Sequence, residues 1–444
     1  MALELTFVNH YGDSAPKRRR LAKACESCRA RKPLIDIYFS KVHPILPLLD
    51  EIEFRAQHAS GVVPDALVHA VCLVAAKHSE AAPHLRLDDS QPPMLARDFC
   101  RRLHKTVMAA LRFPGRYEKI TLIRILALTS LHAETAEGAE EATLCLVQAM
   151  HYLQTMGWHL GQHTGPPSND DLMTKRLFWC LWCMDRINSC IYGRPIMMSD
   201  IDIAIEPFEN GDSGFPAFEV WVSITRILNK VISFYRPGVP LDLTGWEDDF
   251  PPFEDALDES KAHNLDRPTM TTLHLYYLLV AVLSHRSRGV KYVRRSTPSY
   301  VRQSLAAIEI NRLMSSHLLQ ALLPLPILSY AISLAMSVSY QHLRQSQLQH
   351  QQEDARQDFK SCCQILQKLR RTWSAADVIA TIAKKVLDQL EKAPDLASTE
   401  PDWHGLFEGM DDIFGTYLDP NYPVNLDDFS FVDDLSPLDN IPST

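Results

Sequence analysis

The chain reads as all-α, and three observations carry that reading. Between Ile35 and about Ala393, apolar residues recur at helical spacing, with few of the alternating runs that mark strands and no internal repeat. Turn chemistry interrupts this periodicity at Ala82 to Pro93, Phe113 to Arg116 and Gly161 to Pro167. A chain of 444 residues that is 46% hydrophobic can bury a large core, so one multi-helix domain with two compositionally distinct ends is expected. The predicted organisation is a basic, disordered segment over 1–33, a helical domain over 34–395, and an acidic-aromatic, disordered segment over 396–444.

Within the helical part, Val68, Val71, Cys72 and Ala75 fall on one helix face, as do Leu122, Ile125, Leu126 and Thr129. Leu144, Val147, Met150 and Met156 do so more loosely. The clearest helix starts after Ser168 and Asn169, with Asp170 and Asp171 in its first turn, where negative charge suits the helix dipole. It is expected to run to about Ile191, with Gly193 and Pro195 ending it. Leu177, Phe178, Leu181, Trp182, Met184 and Ile187 make its apolar band too wide for a surface helix, which predicts a place deep in the core. The acidic, proline-laden stretch 236–268 reads as an exposed loop. Helical pattern returns over Leu273 to Leu283 and through Leu305, Ile308 and Leu313 to Leu390, with the glutamine-rich Gln345 to Gln352 as loop or exposed helix. From His317 to Leu343 there is no Asp, Glu, Lys or Arg, yet Gln320, Pro324, Pro326 and four serines favour a buried helix pair over a membrane span.

The net charge of −9 conceals an asymmetry: from Ala393 onward there is no Lys or Arg against twelve Asp and Glu, while the opposite end is strongly basic. Ten scattered cysteines, among them Cys145, Cys180, Cys183 and Cys190 on apolar periodic stretches, suit reduced core thiols better than disulfides or a metal set. The opening MALELTFVNHYGDSAP has no long apolar run, so no secretory leader is expected.

The basic end is concentrated in KRRRLAKACESCRARK, where Lys17, Arg18, Arg19, Arg20, Lys23, Arg29, Arg31 and Lys32 face the single acid Glu26. Cys25 and Cys28 have C-x2-C spacing, which lets two thiolates reach one zinc ion from a tight turn. The run from Ala24 to Lys32 resembles the opening of the fungal binuclear zinc-cluster transcription factors, with Cys25 and Cys28 at the first two ligand positions and Lys32 at that family's DNA-contacting lysine. The resemblance implies zinc, DNA contact through Arg29, Arg31 and Lys32, and nuclear import through Lys17, Arg18, Arg19, Arg20 and Lys23. It then fails: the third ligand should be residue 35, which is Ile35, and no cysteine follows before Cys72. The sequence reads as though the rest of the cluster, its linker and its coiled coil had been removed between Lys32 and Pro33, so zinc is not expected to be bound and DNA binding is weakened or lost.

The middle of the chain adds to that resemblance. KRLFWCLWCMDRINSCIYGRP is similar to the signature of the middle homology region of the same family, through Arg176, Trp179, Asp185, Arg186, Gly193, Arg194 and Pro195. The likeness extends over roughly 34–340 and implies a regulatory domain, often dimeric, that responds to a small-molecule inducer and controls an activation segment. From the residues alone, Asp185 and Arg186 are charges within an apolar helix and need partners, with Arg176 or Arg194 as candidates for Asp185.

The acidic end mixes its carboxylates with Trp403, Phe407, Phe414, Phe429 and Phe431, the composition of an activation segment that docks on coactivators. An all-α enzyme of prenyl diphosphate chemistry would need carboxylates one helical turn apart for magnesium. Asp170 and Asp171 are followed by Thr174, Asp248 and Asp249 by Phe250 and prolines, and no G-x-S-x-G or P-loop pattern occurs. The expectation is therefore a nuclear transcription regulator of a fungus, an activator with no catalytic residues and no membrane association. DNA is its partner if the cluster is completed. Otherwise it acts by forming a homodimer or heterodimer with an intact relative, or by sequestering its ligand.

Overall fold

The structure, a computed structural model, describes residues 26–392 apart from 88–91, 134–135, 162–168, 209–210, 237, 240–242, 286–296 and 347. Among these residues there are fourteen α-helices and no strand, the sole β feature being an antiparallel bridge between Gly245 and His285. The all-α reading is correct.

Six helices come first: α1 (Glu26–Ile37), α2 (Glu51–Ala59), α3 (Asp65–Ala75), α4 (Ala96–Leu111), α5 (Lys119–Ser130) and α6 (Ala136–Thr155). Helix α3 packs on α1, α4 and α5, and α5 packs on α6. The carboxylate of Asp50 opens α2 by accepting the Glu53 amide at 2.8 Å. Helix α7 (Asn169–Tyr192) then lies between α6 and α8 (Pro216–Ser233). Beyond it come α9 (Phe253–Glu259), α10 (Arg267–Leu283), α11 (Pro298–Ser315), α12 (Ile327–Gln345), α13 (Gln349–Leu369) and α14 (Ser374–Lys392). Helix α10 packs on α8, α11 and α12, and α12 packs on α11 and α13. One continuous apolar core runs through all of them.

The α7 bounds agree with the expected helix from about Asn169 to Ile191, and its apolar band is buried as its width predicts. Gly193, at φ 64°, supplies the left-handed residue that ends it. Elsewhere the structure corrects the sequence reading. The stretch 236–268 is not simply exposed: it contains α9 and buries Trp246, Phe253, Ala256 and Leu257. The close approach depends on Gly245, at φ 125°, where a side chain would collide with the Ser284 carbonyl oxygen. On α11 the expected core residues Leu305 and Ile308 are exposed, and the buried face is Ala306, Ala307, Ile310 and Met314. Two adjacent alanines let the helix approach its neighbours more closely than leucine would. Leu144 on α6 is exposed for a similar reason, its helix burying Cys145, Leu146, Ala149 and Met150 instead.

The charge-free stretch from His317 is one 3-10 turn followed by α12, not a helix pair. Its serines are buried with hydroxyls turned onto the helix's own carbonyls, Ser333 to Ser329 at 2.7 Å and Ser339 to Ala335 at 3.0 Å. No helix among the described residues is long and apolar enough to cross a membrane. The boundary drawn at residue 33 also moves, because α1 runs without interruption across Lys32 and Pro33.

Candidate functional site

The N-terminal motif is only partly within the described residues. Cys25 and the cations from Lys17 to Lys23 lie outside them, and Cys28 and Arg29 are described only as backbone at the start of α1. Lys32 is exposed and Arg31 is buried. Arg31 lies 5.9 Å from the centre of the Phe99 ring, faces Cys72 and His69, and leaves Nη1 without a partner. That position turns it into the helical domain, away from the outward orientation a DNA contact requires. Ile35, where a third zinc ligand would stand, is 2% exposed and belongs to the core. The residues described here do not fit a zinc cluster, since a buried aliphatic side chain replaces a thiolate and the backbone around it is already committed to helix.

The signature of α7 has a clear structural task. Its polar residues sit on one helix face at spacings of three and four, and they hold the returning chain that leads into α8 in antiparallel order. At the C-terminal end, Arg186 donates to Asp185 at 3.0 Å, to the Met198 carbonyl at 2.6 Å, to Asp200 at 2.5 Å and to Asn229 at 3.3 Å, with its guanidinium 4.3 Å from the centre of the Trp182 ring. The Trp182 indole donates to Asp200 at 2.9 Å. One turn back, the Trp179 indole donates to the Glu206 carbonyl at 3.2 Å. At the N-terminal end, Lys175 lies over Phe208 and Arg176 donates to the Ser213 carbonyl at 2.8 Å while covering Phe215.

Asp185 is paired by its neighbour Arg186, not by Arg176 or Arg194. Its carboxylate also accepts the amides of Met197 at 3.1 Å and Met198 at 2.9 Å. Burial pushes the Asp185 carboxyl above its usual range, against the Met198 amide, the Arg186 charge and the Met197 amide. Burial likewise lowers the Arg186 guanidinium, against Asp185 and Asp200. Removal from water therefore outweighs mutual attraction for both charges, the balance expected of a buried ion pair.

This clasp forms one wall of a cavity of about 880 Å³. The cavity is bounded by the end of α7, the 193–201 segment, α8, the end of α10 and Tyr330 of α12. Cys190, Leu228, Val231 and Leu283 supply apolar lining, and Arg194 and Arg236 supply the positive charge. Gly193, Arg194 and Pro195 of the signature thus border the cavity, with the Ser189 hydroxyl fixing the turn by donating to the Arg194 carbonyl at 2.5 Å.

The thiols of α7 are core residues. Burial raises Cys183 and Cys190 to about 12 and Cys180 further, so none is a thiolate at neutral pH. No group of three or more His, Cys, Asp or Glu is placed to hold a metal among the described residues.

A serine, a histidine and a glutamate do meet, at Ser299, His285 and Glu247. Their order is unsuited to nucleophilic catalysis. The Ser299 hydroxyl donates to Glu247 at 2.7 Å and lies 2.8 Å from His285 Nδ1, so the serine is the middle member and its one proton goes to the carboxylate. Ser299 is wholly buried, and Glu247 also accepts its amide at 2.9 Å, so the cluster fastens the 244–250 loop to the start of α11.

The sequence reading missed Asp200, Asn229 and Glu247, the acceptors that complete these networks. No local pattern distinguishes Asp200 from Asp202 two residues later. The aromatic and acidic residues Trp403, Phe407, Phe414, Phe429 and Phe431 lie outside the described residues.

Residues 35–239 match the family model described as the fungal specific transcription factor domain. The chain is also similar to the cutinase transcription factor 1 alpha of Fusarium vanettenii, 26% identical over 185 residues. That match covers 40% of this chain and 20% of the relative, so the chain spans about a fifth of the relative's length in this comparison. The match over 35–239 begins inside α1 and closes just after α8, enclosing the whole clasp and much of the cavity lining. With its helical architecture and the α7 signature in place, the chain belongs to the fungal proteins that carry the fungal specific transcription factor domain.

Proposed function

We propose that the chain is a nuclear regulator of RNA polymerase II transcription in a fungus, an activator whose DNA binding is weakened or lost because its zinc cluster is incomplete. The observation that carries the reading is the family match over 35–239. The similarity to a protein named a cutinase transcription factor supports the same class of activity. The break in the cluster motif supports the second half, since Ile35 is core where the family pattern asks for a ligand. Activation is assigned to 396–444 from its composition, carboxylates interspersed with Trp403, Phe407, Phe414, Phe429 and Phe431. Lys17 to Lys23 serve nuclear import.

The test has two arms. Elemental analysis of the purified chain should find no stoichiometric zinc, and binding to random and selected DNA should be equally weak and steeply salt-dependent. Residues 396–444 fused to a foreign DNA-binding domain should activate a reporter. Stoichiometric zinc with sequence-selective binding would overturn the first arm, and a silent fusion would overturn the second.

A second reading is action through an intact relative rather than through DNA, and one observation favours it. Val301, Leu305 and Ile308 form an exposed apolar stripe along α11. Co-purification with a complete zinc-cluster protein, lost on changing Leu305→Glu, separates this reading from the first.

A further inference from the structure

We propose that the cavity between α7, the 193–201 segment and α8 binds one small organic anion with an apolar body. At about 880 Å³ it has the size of a site for a drug-sized molecule, and most of its lining is apolar. What the wall can recognise follows from which of its polar groups are already committed. Three of its four hydroxyls donate to protein carbonyls: Ser189 to Arg194, Tyr235 to Leu283 at 2.7 Å, and Tyr330 to Cys190 at 3.2 Å. Asp200, the carboxylate among the lining residues, is held by Arg186, Trp182 and Asn229.

The formal charges remaining at the mouth are those of Arg194, stacked 5.5 Å from the centre of the Tyr192 ring, and Arg236, which is exposed. Two guanidiniums beside an apolar cavity favour a carboxylate or sulfonate and disfavour a cation. The rim adds Met197, exposed, and Ile201, 93% exposed. Single exposed apolar residues are ordinary, but two at the mouth of one cavity extend its apolar surface outward over part of an occupant.

The inference rests on the cavity and its charges and not on a role in transcription, so binding is read in solution on the full chain. The probes are 8-anilinonaphthalene-1-sulfonate and its uncharged counterpart N-phenyl-1-naphthylamine, followed by fluorescence. One sulfonate should bind per chain. Arg236→Gln, a surface change that leaves the fold intact, and Arg194→Gln should each weaken it about tenfold, the loss typical of one charge-assisted contact, and leave the neutral probe unchanged. Ile232→Trp, which projects indole into the cavity, should abolish binding of both.

Sulfonate binding that survives Ile232→Trp would place the probe elsewhere and overturn the proposal. Equal response of the two probes to the arginine changes would overturn the anionic preference. Displacement of the sulfonate by a peptide of residues 396–444 would assign the cavity to the chain's own acidic segment and overturn the small-molecule reading.

Discussion

Two carboxylates fasten loops to helices in this molecule, and they do so in opposite electrostatic regimes. Asp185 stands on a helix and captures a loop, accepting the Met197 and Met198 amides from inside the core. Glu247 stands on a loop and captures a helix, accepting the Ser299 amide and hydroxyl near the start of α11. Asp185 is pushed above its usual range because burial outweighs its amides and Arg186. For Glu247 burial also acts upward, but the Thr244 hydroxyl, the Ser299 amide and the Ser299 hydroxyl together bring it below its usual range. Hydrogen bonds prevail where water still reaches the carboxylate, and desolvation prevails where it does not.

The largest expected effect breaks the deeper anchor. Arg186→Met leaves Asp185 buried without its counterion and should cost about 3–5 kcal/mol in urea denaturation, as for other broken buried pairs. A loss below about 1 kcal/mol would mean that the clasp contributes little to stability. Glu247→Gln should cost less, about 1–2 kcal/mol, because a neutral amide can still accept one of the bonds to Ser299.

The pH dependence sharpens the contrast. A carboxyl with a raised folded value contributes stability that is complete below its ordinary value of 3.8 and is lost as pH rises through the folded value. Asp185→Asn should therefore flatten the melting temperature on the alkaline side of pH 4. A carboxyl with a lowered value contributes stability that is present above its ordinary 4.5 and is lost as pH falls through the folded value. Glu247→Gln should flatten the acid side instead, and identical pH profiles for the two variants would remove the distinction. The smallest effect is expected at the turn between clasp and cavity. Gly193→Ala, at φ 64°, should cost about 1 kcal/mol, since a side chain is strained in the left-handed region.

How much of this was legible beforehand differs from element to element. The α7 helix was readable almost to the residue, because its start signals, its wide apolar band and Gly193 are all local. The pairing of Asp185 was misassigned because the helical spacing of Arg176 and a nearby Arg194 seemed to offer partners. The structure instead pairs it with the adjacent Arg186, whose side chain is turned inward by Asp200, Asn229 and Trp182. Arg31 shows the same limit from the other side. Within its basic run it reads as a DNA contact, yet α4 brings Phe99 against it and it becomes part of the interior.

The sequence alone determined the all-α class, the position of α7, the missing zinc ligand at Ile35 and the opposite charge of the two ends. Each of these depends on residue type at short range, on periodicity, caps or spacing. Tertiary structure decided which face of α6 and α11 is buried, which acid neutralises which arginine, and that the signature on α7 clasps the 197–215 segment and walls a cavity. Those outcomes depend on groups far apart in the chain competing for one buried volume, where close approach of backbones and removal of charge from water outweigh any local preference.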